Sequence, residues 1–101
     1  MTLYKIAYSQ EAFNDLNTIY RYIATESFDF KIAGRFVKKL KNAIESLKTF
    51  PSRHPKIEFS FRGSAEVRQF VTCGYLILYI VDSAKSTVTI IGILSSKQDK
   101  K

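Results

Sequence analysis

Tyr75-Leu76-Ile77-Leu78-Tyr79-Ile80-Val81 is the longest apolar run in the chain, at seven residues. That is the length of a strand, since a membrane-spanning helix needs about 20 apolar residues. Alternation along a strand puts Tyr75, Ile77, Tyr79 and Val81 on one side and Leu76, Leu78 and Ile80 on the other. Both sides are apolar, so both call for cover. In a chain of 101 residues, helices can cover one face of a sheet and little is left for the second. The second face is therefore a candidate partner surface, unless the loop 51–63 or the C-terminal tail lies over it.

Working outward, 66–72 and 87–94 read as β-rich runs on either side of the central one. Cys73-Gly74 and 82–86 lie between them as turns, with Gly74 supplying backbone freedom, so the three runs form an antiparallel meander. Toward the N-terminus, Leu3, Tyr4, Ile6 and Tyr8 read as a first strand ending at Ser9, a good helix N-cap. Phe13, Leu16, Ile19, Tyr20 and Ile23 then follow a helical period to about Thr25. Past Ser27-Phe28-Asp29, a second helix carries Ile32, Phe36, Leu40, Ile44 and Leu47 and is ended by Phe50-Pro51. The short turn predicts an antiparallel helical hairpin. Lys31, Arg35, Lys38, Lys39, Lys41 and Lys48 occupy much of the second helix's remaining surface, which as a solvated face needs no function. The stretch 51–63, with Pro51, His54, Pro55 and Gly63, is mostly loop, with room for an extended edge at 57–61.

These elements make one α+β domain over residues 1–101. Hydrophobic residues are 46% of the chain, with eight Phe and six Tyr, enough for a real core. Sixteen basic against nine acidic residues give +7, which attracts polyanions or acidic protein segments, or keeps a small protein soluble. Cys73 is the only cysteine, which excludes an intrachain disulfide and fits a reducing cytoplasm. It has no visible triad to act as a nucleophile. One histidine, one cysteine and scattered carboxylates give no metal-ligand spacing, and the four dispersed glycines form no phosphate loop, so no metal or cofactor is expected. The charged, soon polar N-terminus reads as neither signal peptide nor anchor, and no membrane partner is expected.

The ordered set of pieces resembles the RelE/ParE superfamily of toxins from type II toxin-antitoxin systems, and its ParE branch more closely. The first piece is Tyr8-Ser9, then Ala12, Asp15-Leu16, Ile19 and Tyr22-Ile23. Ala33, Phe36, Leu40, Ile44, Leu47 and Phe50-Pro51 make the second. Glu66-Val67-Arg68, Tyr75-Leu76-Ile77-Leu78-Tyr79 and Ile91-Gly92-Ile93-Leu94 complete it. The resemblance implies the fold outlined above, with the antiparallel helical hairpin packed on an antiparallel sheet. It also implies a cognate antitoxin that wraps and neutralises the chain. Two targets are compatible with it: RelE-like members cleave messenger RNA on the ribosome, and characterised ParE-like members poison DNA gyrase.

Cleaving RNA through its own 2′-hydroxyl needs a base, an acid and cations around the phosphate. Arg62, Arg68 and Lys97 can serve as cations. Glu66 lies two residues before Arg68 and on the same face of a strand, as a base-and-cation pair or a surface salt bridge. The acid is missing: Ser95 stands where many relatives carry a histidine, and serine cannot transfer protons near neutral pH. His54 sits beside Arg53 and Lys56, as in a solvated turn. Tyr79 can donate a proton or stack on a base, or lie in the core or an interface. The expectation is a toxin that acts by binding rather than as an enzyme, with gyrase the implied target. Arg68, Tyr75, Tyr79 and Lys97 are candidates for antitoxin or target binding. The alternatives are a ribosome-dependent endoribonuclease using Glu66, Arg68, Arg62 and Lys97, and a homologue with lost activity or another target.

Overall fold

The computed structural model of the chain describes residues 3–57 and 67–95. In order these form strand β1 (Lys5–Tyr8), helix α1 (Gln10–Ser27), helix α2 (Phe30–Glu45) and strands β2 (Val67–Thr72), β3 (Tyr75–Asp82) and β4 (Thr87–Ser95). Short 3₁₀ turns at Ser46–Lys48 and Pro51–Arg53 follow α2. Ser9 starts α1 by accepting from the Ala12 amide at 3.0 Å, and Asp29 starts α2 by accepting from the Lys31 amide at 2.7 Å. The helix therefore stops at Glu45, short of Phe50-Pro51, and the chain tightens into 3₁₀ geometry before the proline.

The sheet order is β1-β4-β3-β2, with β2, β3 and β4 in the expected antiparallel meander. β1, however, joins at the edge of β4 in parallel, so the sheet is mixed rather than antiparallel throughout. Tight turns force antiparallel pairing within the meander, whereas the long helical crossover from β1 leaves its direction free to match β4. Pro55 to Ile57 lies along the other edge: the Ile57 amide donates to Val67 at 2.9 Å and the Gln69 amide to Pro55 at 3.1 Å. The rest of the expected edge at 57–61 lies outside the described residues.

The helices cover the face that carries Ile77, Tyr79, Val88, Ile90 and Ile93, all in one core cluster with Leu16, Ile19, Leu40, Ile44 and Leu47. Two expected core positions differ. Phe13 is 54% exposed and Ala12 is buried in its place; Ile32 is 40% exposed and Ala33 is buried beside it. α1 packs on β4 and α2 packs on α1, and at these positions the small side chain of each pair faces inward. On the other face, Val71, Leu76 and Leu94 stand opposite one another in a row across three strands, with Val71 61% and Leu94 45% exposed.

Candidate functional site

Arg68 projects from β2 toward the turn that follows α2. Its Nη1 donates to the Ser52 carbonyl at 3.1 Å and to the His54 carbonyl at 2.7 Å. Backbone carbonyls at the end of a helical turn lack intrahelical donors, and a guanidinium supplies several from a rigid fork. On the neighbouring strand the register places Tyr79 opposite Arg68, and its hydroxyl donates to the Pro51 carbonyl at 2.6 Å. The two side chains thus fasten one turn, Pro51 to His54, onto the sheet. Tyr79 is fully buried, so it has no surface to offer a base or a protein partner. Burial pushes its hydroxyl up to about 12, against the opposing pull of Arg68 and Arg53.

His54 closes this cluster. Its ring stacks on Phe70 at 4.6 Å and meets Tyr79 edge-on at 6.3 Å. Nε2 is buried with no hydrogen-bond partner. Burial, and secondarily the Arg53 guanidinium, hold its pKa below the usual histidine value. The sequence suggested a solvated turn; the structure instead puts the imidazole against aromatic rings, because Arg68 and Tyr79 draw the turn inward. A neutral ring with one nitrogen enclosed is poorly placed to exchange protons with a bound phosphate.

Tyr75 belongs to a different place. It lies four residues from Tyr79 along β3, roughly 13 Å at strand spacing. There it meets Phe36 edge-on at 5.9 Å and lines a cavity of about 420 Å³ between α1 and the end of β4. Asp15, Ile19, Tyr22, Ile93 and Ser95 also line it. β1 pairs with β4 only as far as Ile90, so the β4 edge beyond is left to other partners. Asp15 accepts from the Ile93 amide there, at 2.9 Å. Burial, then the neighbouring Tyr22, raises the pKa of Tyr75. Asp15 and Tyr22 occurred in the sequence as pieces of a pattern without a role; only the pairing of β1 with β4, which no local signal marks, reveals what they line.

The structure therefore joins Arg68 with Tyr79 and His54 at one end of β3, and Tyr75 with Ser95 at the other. Arg62, Glu66 and Lys97 lie outside the described residues. Among the described residues no three of His, Cys, Asp and Glu stand close enough to hold a metal ion. No described helix is long and apolar enough to cross a membrane.

Residues 6–100 match the family model of the ParE toxin of the type II toxin-antitoxin system, parDE. A comparison with curated protein sequences finds no match. Among solved structures, a chain of the chromosomal ParDE system from P. aeruginosa superposes with a TM-score of 0.75 at 14% identity, covering 94% of this chain and 98% of that one. A chain of the archaeal RelE-RelB complex from Pyrococcus horikoshii gives 0.64 at 10% identity, covering 97% and 100%. One from a RelBE toxin-antitoxin complex of Mycobacterium tuberculosis gives 0.62 at 18%, covering 94% and 93%. At these identities the likeness is one of fold.

Proposed function

Since this chain belongs to the ParE toxin family of type II toxin-antitoxin systems, we propose that it stops growth by binding its target, DNA gyrase, rather than by cutting RNA. The observation that carries the choice is the state of the proton-transfer groups. Ser95 occupies the position where a histidine would serve, and His54 is stacked on Phe70 with Nε2 enclosed. Arg68, the described cation of the nuclease reading, is engaged with two carbonyls of its own chain. A cation without an acid and a base stabilises charge but moves no proton.

A cognate antitoxin is the regular partner. Its seat in this proposal is the groove beside Tyr22, Tyr75 and Ile93, continued by the row of exposed Val71, half-buried Leu76 and exposed Leu94. An exposed apolar row next to a partly unpaired strand edge is a surface that a wrapping segment covers well.

The experiment pairs two assays on one preparation of toxin freed from antitoxin. Gyrase supercoiling is expected to fall, with cleaved DNA accumulating on the enzyme, while translated messages stay intact. Codon-positioned cuts in those messages, with supercoiling unaffected, would replace this reading with the endoribonuclease one.

A further inference from the structure

Helix α2 is divided sharply into two halves. Ala33, Leu40 and Ile44 are buried on the core side, and Lys31, Arg35, Lys38, Lys39 and Lys41 are all exposed on the other. Among the described residues none of the five is paired with a carboxylate; Glu45, the acid of that stretch, is held by Lys48 at 2.7 Å. Like charges crowded on one helix repel one another, so an anion brought to this face relieves a cost already present.

On the same face, between Lys38 and Lys41 around the axis, stands Gly34. Inside a helix glycine is less stable than alanine. A Cβ at Gly34 would meet nothing within 4 Å, so the fold itself does not call for a glycine there. What the missing side chain provides is bare helix backbone between the cations of one flank, where another surface can come close.

Geometry narrows the partner. Lys39 and Lys41 point roughly 160° apart around the helix axis, with Lys31 and Lys38 between them. A helix with its side chains is about 10–12 Å across, and the major groove of B-DNA is about 12 Å wide. The major groove of an A-form RNA duplex is too deep and narrow to admit a helix. We propose that α2 docks in the major groove of duplex DNA. Arg35 and Lys39 meet phosphates on one wall and Lys41 those on the other, while Gly34 allows close approach and Lys31 and Lys38 face the base edges. A phosphate row on each side matches cations on both flanks without requiring any particular sequence. This holds whatever protein the toxin targets.

The test measures anisotropy of a labelled 20-base-pair DNA duplex, and of the RNA duplex of the same sequence, with the full-length toxin over a range of salt. DNA is expected to bind at least tenfold more tightly than RNA. Arg35→Ala and Lys41→Ala should each lower the salt slope by about one. Gly34→Gln, which adds bulk and no charge, should weaken DNA binding at least fivefold while the melting temperature stays level or rises. Equal affinity for the two duplexes, or tighter binding to RNA, would overturn the proposal. So would a Gly34→Gln variant that binds DNA as the wild type does, since the face would then act as bulk charge alone.

Discussion

Tyr79 and His54 show how two residues that resemble chemistry can be spent on structure. The Tyr79 hydroxyl meets the Pro51 carbonyl at 2.6 Å inside the core. Tyr79→Phe leaves that carbonyl without its donor and should cost about 1–2 kcal/mol in urea unfolding. His54 adds a pH dependence. Its folded pKa lies below the unfolded value of 6.5, so the unfolded chain binds more protons as the solution is acidified. Its contribution to stability is thus complete above 6.5 and is lost as the pH falls through the folded pKa. Melting temperatures between pH 7.5 and 5 should fall more steeply for the wild type than for His54→Gln; parallel curves would contradict the enclosed, neutral ring. Arg68 and Tyr79 were visible in the sequence as candidates, but their partners were not. Those partners are backbone carbonyls of a turn up to 28 positions away, and a carbonyl carries no signature in sequence.

The ends of the elements were legible where a side chain does the work, as with Ser9. They were not where the backbone does it unaided. Phe28 ends α1 in the left-handed region, with φ 57° and 93% of its surface exposed. A position of that kind favours glycine or asparagine. Phe28→Asn should therefore raise stability by up to about 1 kcal/mol; a lower melting temperature would mean that the ring makes a contact worth more than the strain. β4 was legible as a strand but not in its facing. The register jumps from Leu78 opposite Gly92 to Tyr79 opposite Ile90, which leaves Ile91 unpaired in a bulge. Val88 and Ile90 face the core before it and Ile93 after it, so simple alternation would have buried Leu94, which is 45% exposed. The helices carried a similar ambiguity: an alanine beside a larger apolar residue reads as neutral, and Ala12 and Ala33 are the ones buried.

At the scale of the molecule, the helical hairpin on a four-stranded sheet followed from period and turn signals, because each element buries one continuous apolar face. The parallel placement of β1 did not, since a crossover of this length fits either direction. One face of the sheet is filled by the helices, the other keeps an apolar row, and the cations gather on α2. On the proposed reading these surfaces are what the molecule offers its partners, and its effect should depend on contact with the target. The measurement that tests this most directly is plasmid supercoiling by DNA gyrase with toxin freed from its antitoxin. The account predicts that supercoiling is lost, that cleaved plasmid accumulates on the enzyme, and that adding the antitoxin reverses both. Full supercoiling at large toxin excess, with no cleaved plasmid, would contradict it.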